Sequence, residues 1–84
     1  MTRILSNISL KDFRAFLIYV GCEKVSTRGG HEKWKKKGLV RSIVFQIHED
    51  PIPRHVVYSN LKTLGLGRED FETWFELGKP KEEQ

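Results

Sequence analysis

The sequence predicts an α+β domain in which one helix, three antiparallel strands and two further helices follow one another along the chain. Apolar residues recur at helical spacing near the N-terminus and again in the second half. Between these segments, apolar and polar residues alternate with a period of two, which is typical of strands with one buried face. With 84 residues, 38% of them hydrophobic and 31% charged, the chain has room for one domain and a small core. We therefore expect a single domain over 1–84, with a folded core over 9–77 and frayed termini at 1–8 and 78–84.

The first helix is predicted over 10–20. Ser9, followed three residues later by Asp12, resembles a capping box, and Gly21 is a suitable stop. Between these signals the apolar residues recur at intervals of three and four: Leu10, Phe13, Phe16, Leu17 and Val20. This apolar stripe must pack on another element, and the next segment has the alternation of a sheet.

The first two strands are predicted as a hairpin. The segment 23–27 is interpreted as a strand with Val25 pointing inward, and Arg28-Gly29-Gly30 as the turn. In the strand that follows, Trp34 points into the core on the same side as Glu32 and Lys36. The opposite side then carries a basic row composed of His31, Lys33, Lys35 and Lys37.

The third strand is predicted over 41–48, after a turn at Gly38, with Ile43, Phe45 and Ile47 alternating against polar residues. Pro51 and Pro53 then remove backbone donors, so the chain must leave the sheet.

Two helices complete the predicted order. The second has an inner face of Val57, Leu61 and Leu64 and stops at Gly65. The third begins near the acidic pair Glu69-Asp70 and ends before Gly78, and its apolar stripe is Phe71, Trp74 and Phe75. If all helices cover one face of the sheet, the other face, with the basic row, is open to solvent.

The net charge of +4 is unevenly distributed. Residues 1–48 contain ten Lys and Arg against three Asp and Glu, whereas residues 49–84 contain five against eight. The basic residues are densest at 33–37, which favours a polyanionic partner, and nucleic acid is the leading candidate. The alternative is a solvated strand whose lysines only prevent aggregation.

The sequence disfavours several classes of protein, among them membrane, secreted and metal-binding proteins. No apolar run is long enough to cross a bilayer and the N-terminus lacks a signal-peptide core, so we expect a cytoplasmic protein with no membrane partner. The single cysteine, Cys22, cannot form an intramolecular disulfide, and its position after an apolar helix favours burial over a catalytic thiol. The sequence predicts neither a metal site nor a cofactor.

His31 is the candidate catalytic residue. It follows two glycines and begins a basic strand, so its imidazole is expected where another backbone can approach closely. A histidine can take a proton from a ribose 2′-hydroxyl or donate one to a leaving 5′-oxygen without a metal. Arg28, Lys33 and Lys35 could neutralise the phosphate charge. The alternative is an exposed histidine with no role.

The other two histidines carry weaker signals. His48 ends a strand and His55 opens a helix, and both are interpreted as structural. His48 is a second acid or base only if the strand pairing brings it near His31. Glu32 falls on the Trp34 side by parity, which argues against a direct role beside His31.

Several short motifs occur in a characteristic order. The run Gly29-Gly30-His31-Glu32-Lys33-Trp34 is followed by a strand, a proline-containing loop, Leu61-Lys62-Thr63-Leu64-Gly65-Leu66 and then Glu69-Asp70-Phe71. In this order, over residues 9–75, the chain resembles the HicA family of type II toxin-antitoxin modules.

The resemblance implies a fold similar to a double-stranded-RNA-binding domain and an endoribonuclease toxin that cleaves mRNA, with His31 as its catalytic histidine. It also implies a HicB-type antitoxin partner that covers the face bearing the histidine. The basic residues and the glycine turn themselves, and not the resemblance, predict the residues that contact RNA: Arg28, Gly29, Gly30, Lys33, Lys35 and Lys37. Two alternatives remain open at this point: a non-catalytic RNA-binding module on the same face, and an interaction protein that docks a partner on the third helix.

Overall fold

The computed structural model describes residues 7–78, and its elements follow the predicted order. The three strands form one antiparallel sheet in the order β1-β2-β3, so β2 is central. The small α+β architecture predicted from the sequence is therefore confirmed. The element bounds are α1 Leu10–Tyr19, β1 Glu23–Arg28, β2 His31–Lys35, β3 Ile43–Gln46, α2 Arg54–Thr63 and α3 Arg68–Glu76.

Helix α1 has a defined start and stop. The Ser9 hydroxyl accepts a hydrogen bond from the Asp12 amide at 3.0 Å, as the capping motif predicts. At the other end, Gly21 has a φ of +98°, and the Cys22 amide donates to the Leu17 carbonyl at 2.8 Å. This is a Schellman motif, and α2 ends in the same way at Gly65 and Leu66.

The hydrophobic core lies on one face of the sheet. Glu32 and Trp34 of β2 and Ile43 and Phe45 of β3 are buried on this face. Apolar side chains from all three helices complete the cluster: Leu10, Phe13, Phe16, Leu17, Val57, Leu61, Phe71 and Trp74. The opposite face, which we call the open face, carries exposed residues of β2 and β3.

Strand β1 lies outside the core, and all six of its residues are exposed. The predicted inward position of Val25 is wrong, because Val25 is 52% exposed. Its pairing register with β2 shifts between Lys24 and Ser26, so Val25 is the extra residue of a β-bulge. The extra residue has no partner on β2, and it breaks the alternation of inward and outward side chains from which the position of Val25 was predicted.

Two predicted strands are shorter in the structure. Strand β2 ends at Lys35, so Lys37 lies in the following loop and is not part of the basic row. The third strand covers Ile43–Gln46 instead of 41–48, because its pairing with β2 runs only from Ile43 opposite Trp34 to Gln46 opposite His31. After Gln46, one further amide, that of Ile47, donates to the Gly30 carbonyl at 2.9 Å before the chain turns away.

The segment after β3 is tied to the N-terminal end of the described chain. The Ile52 amide donates to the Ile8 carbonyl at 2.8 Å, and both side chains are buried. Ile8 therefore belongs to the core, although the sequence placed it in a frayed terminus. The remaining residues expected to fray, except Asn7 and Gly78, lie outside the described range.

Helices α2 and α3 confirm the apolar faces predicted for them. Val57, Leu61 and Leu64 are buried on α2, and Phe71 and Trp74 on α3, while Phe75 is half-buried. The Asn60 side chain on α2 donates to the Val44 carbonyl at 3.3 Å, which satisfies an acceptor on the outer edge of β3. Within residues 7–78, no helix is both long and apolar enough to cross a membrane.

Candidate functional site

A tight turn positions His31 at the start of β2. Gly29 and Gly30 connect β1 to β2 with φ values of +56° and +82°. Two successive positive φ angles are the requirement of a type I′ hairpin turn, which favours glycine at both positions. Arg28 and His31 are consequently direct cross-strand neighbours on either side of the turn.

Two rows of side chains cross the sheet on its open face. Because Arg28 pairs with His31 and His31 pairs with Gln46, these three residues form the row nearest the turn. Ser26, Lys33 and Val44 form the next row. All six residues are exposed, so a ligand can approach the imidazole and both cations from solvent.

The side of His31 that faces β1 opens into a groove of about 580 Å³. We call it the basic groove, because Arg28 and Lys33 are its two permanently charged lining residues. The hydroxyl-bearing residues beside them can donate hydrogen bonds to phosphate oxygens. Its lining residues are Ser26, Thr27, Arg28, His31, Lys33 and Val44.

The other side of His31 opens into a second, smaller groove of about 280 Å³ between β3 and the start of α2. We call it the histidine groove, because His31 and His55 both line it. Val44, Phe45, Ile52, Pro53 and Val56 supply apolar walls, and Gln46 and Glu49 are its other polar residues. Of the three histidines, only His31 lines both grooves.

His48 takes a different position. Its imidazole packs against Gly30, so a Cβ atom added at residue 30 would overlap the ring. The strand pairing therefore brings His48 to the turn that precedes His31. His48 lines neither of the two grooves.

A buried polar network supports β2 from beneath. Arg14 of α1 donates to both carboxylate oxygens of Glu32, at 2.9 and 2.8 Å, and the Trp34 indole donates to the same carboxylate at 2.9 Å. Burial raises the pKa of Glu32, but the hydrogen bonds from Arg14 and Trp34 outweigh this effect and the pKa is lowered. Glu32 is 1% exposed and lies on the buried face of β2, opposite to His31, which confirms the placement that the alternation predicted.

The predicted RNA-contacting residues divide into two groups. The structure brings Arg28, Gly29, Gly30 and Lys33 together around His31. Lys35 lies opposite Glu23 at the far end of β2, and Lys37 is in the loop beyond it. Neither of these two lysines lines a groove with His31.

Two further features bear on the candidate chemistry: the grouping of possible metal ligands and the environment of Cys22. Over residues 7–78, no group of three His, Cys, Asp or Glu side chains is placed to hold a metal ion. Cys22 is buried, and burial raises the pKa of its thiol against a smaller opposing effect of the Lys36 charge. A raised pKa lowers the population of the reactive thiolate.

Sequence reasoning missed His55 and Glu49 as neighbours of His31. Both follow β3 in the sequence, where the bridge between Ile8 and Ile52 and the hydrogen bond from Asn60 of α2 to the Val44 carbonyl fix the path of the chain. No local spacing in the sequence encodes this path.

The fold and site together define an α+β domain whose open sheet face presents one histidine between a basic and a histidine-lined groove. Comparison of this chain with protein-family models, with curated proteins and with solved structures finds no match.

Proposed function

We propose that this protein is a HicA-type toxin, an endoribonuclease that cleaves mRNA in the cytoplasm by metal-independent histidine chemistry. One observation carries the proposal: His31 is exposed where the basic groove and the histidine groove meet, next to Arg28 and Lys33. The order of its elements, helix, three strands, helix, also supports a fold similar to a double-stranded-RNA-binding domain.

The proposed reaction is a transphosphorylation within the RNA. A base removes the proton of a 2′-hydroxyl, the 2′-oxygen attacks the adjacent phosphorus, and the bond from phosphorus to the 5′-oxygen breaks as an acid protonates that oxygen. The products are a 2′,3′-cyclic phosphate and a 5′-hydroxyl. Arg28 and Lys33 are suited to attract the RNA strand and to hold one of its phosphates beside His31.

The proposed regulatory partner is a HicB-type antitoxin that covers the open face. This face combines cations with an exposed apolar side chain, because Val44 is 44% exposed beside Lys33. An acidic partner surface with apolar contacts would complement both features.

Incubation of the purified protein with a messenger RNA in EDTA tests the activity. We expect fragments ending in 2′,3′-cyclic phosphate, and a loss of about 10²- to 10⁴-fold in rate for His31→Ala, the range for general acid–base groups. Thr73→Ala is the matched control, because Thr73 is exposed on α3 and lines neither groove. Cleavage by His31→Ala at the wild-type rate would refute the catalytic assignment.

A non-catalytic RNA-binding module is the second candidate. The observation that favours it is that the basic groove is the larger of the two and needs no chemistry from His31 to bind phosphate. Under this alternative, a folded sample free of antitoxin leaves RNA intact but binds it. Binding would then depend on Lys33 and Arg28 and would be unchanged in His31→Ala.

A further inference from the structure

We propose that His55 is a second catalytic residue, which shares the acid and base roles with His31 across the histidine groove. This inference rests on the proposed ribonuclease function and adds a residue that the sequence pattern gave no reason to choose.

The placement of His55 follows from how α2 begins. Pro53 is the N-cap residue, and Arg54 and His55 are the first two residues of the helix. The bridge between Ile8 and Ile52 lies just before this helix start, and α2 contacts β3 through the hydrogen bond from Asn60 to the Val44 carbonyl. His55 is exposed and lines the same groove of about 280 Å³ as His31, which is the observation from which we infer that both act on one phosphodiester.

The groove has the composition that this role requires. Its walls of Phe45, Ile52 and Val56 are apolar, which excludes part of the solvent from a bound phosphodiester. Its polar lining residues are His31 from β2, Gln46 from β3, His55 from α2 and Glu49 from the connecting loop. The charged groups on the other side of His31 are Arg28 and Lys33 in the basic groove. Arg54 is the charged residue next to His55 on α2.

The two grooves also indicate a path for the substrate. An RNA strand that lies with one phosphate in the basic groove must pass His31 to reach the histidine groove. The next phosphodiester along the strand then enters the histidine groove, which His31 and His55 both line, while Arg28 and Lys33 hold the neighbouring phosphate. His48 is less suited to the role, because its ring packs against Gly30 and lines neither groove.

With two histidines, the base and the acid of the transphosphorylation can be separate residues. One imidazole accepts the 2′-hydroxyl proton while the other, already protonated, donates a proton to the 5′-oxygen as the bond to phosphorus breaks. One proton leaves the 2′-oxygen and one reaches the 5′-oxygen, so no metal, water or redox partner is consumed. Both imidazoles are exposed, and each can exchange its proton with solvent before the next turnover.

The test is the pH dependence of cleavage by wild type, His55→Gln and His48→Gln, measured on one short RNA. In wild type the rate should fall at both acidic and alkaline pH, because one histidine must be neutral and the other protonated. In His55→Gln the cleavage rate at the pH optimum should fall by at least about 10²-fold. The plot of rate against pH should also lose one of its two limbs, either the fall at acidic pH or the fall at alkaline pH. The affinity of this variant for RNA and its melting temperature should stay near the wild-type values.

His48→Gln is the matched control, because it removes an exposed histidine at the same end of the sheet. It should keep both limbs and lose no more than a few-fold in rate. The inference is overturned if His55→Gln keeps both limbs, or if His48→Gln is the variant that loses one. An inactive wild type would refute the proposed function itself, whereas cleavage that needs His31 but not His55 refutes only this inference.

Discussion

Neighbouring residues of β2 lie in opposite environments. Glu32 and Trp34 are almost completely buried, whereas His31, Lys33 and Lys35 between and beside them are exposed. The buried residues connect β2 to α1 and to the core, and His31 and Lys33 line the grooves of the candidate site. Stability and the proposed activity therefore depend on alternate residues of one five-residue strand, so they can be changed separately.

The buried half of the strand contains a charge. A buried carboxylate is costly unless it is paired and hydrogen-bonded, and Glu32 has both the bidentate Arg14 and the Trp34 indole. Because Arg14 neutralises Glu32 from beneath the sheet, this carboxylate adds little negative charge to the open face. Lys33 can therefore attract phosphate although its neighbour in the sequence is acidic.

The largest expected effect on stability is that of Trp34→Ala. The indole is 3% exposed and also donates to Glu32, so the variant creates a cavity and removes a hydrogen bond from a buried carboxylate. We expect a loss of about 3–5 kcal/mol in the free energy of unfolding, measured by urea denaturation. A loss below about 1 kcal/mol would contradict the central place of Trp34 in the core.

Glu32→Gln should have a smaller effect, because the amide keeps the shape of the side chain and part of its hydrogen bonding. We expect a loss of about 1.5–3 kcal/mol in the free energy of unfolding near pH 7, the usual value of hydrogen bonds to a charged group.

The same variant tests the pH dependence of stability. The pKa of Glu32 is lowered in the folded protein, so the unfolded chain takes up the proton more readily as the pH falls. The stability contributed by the ionised carboxylate is present above the unfolded pKa, about 4.3, and is lost as the pH falls through the folded pKa. Wild type should therefore lose more free energy of unfolding than Glu32→Gln between pH 6 and about pH 3, and equal losses would contradict this.

The predictable part of the fold was the part governed by short-range periodicity. The helical stripe of α1, the alternation of Glu32 and Trp34 in β2, and the glycine stop of α2 all depend on contacts within a few residues. Val25 was misplaced because a single extra residue in β1 changes its register, and nothing in the strand pattern marks which residue is extra.

The candidate site shows the same limit. His31 could be chosen because two glycines and a basic strand surround it in the sequence. His55 could not be chosen from the sequence, because its place in the histidine groove depends on contacts between distant residues. Ile52 pairs with Ile8, and α2, which carries His55, begins two residues later. The second histidine of the groove is thus a long-range feature of the fold.

The smallest expected effect on stability is that of Lys33→Gln, on the exposed half of the strand. Lys33 lies between Ser26 and Val44 on the open face, and no burial is lost with its charge, so the free energy of unfolding should change by at most about 0.5 kcal/mol. Its effect should appear instead in RNA binding, as weaker affinity and a slope of log affinity against log salt reduced by roughly one contact. Lys11→Gln, an exposed lysine of α1 that lines neither groove, removes the same charge and should leave the salt slope unchanged. Equal slopes for Lys33→Gln and Lys11→Gln would show that affinity for RNA depends on net charge alone. The exposed residues of β2 would then have no specific role in RNA binding.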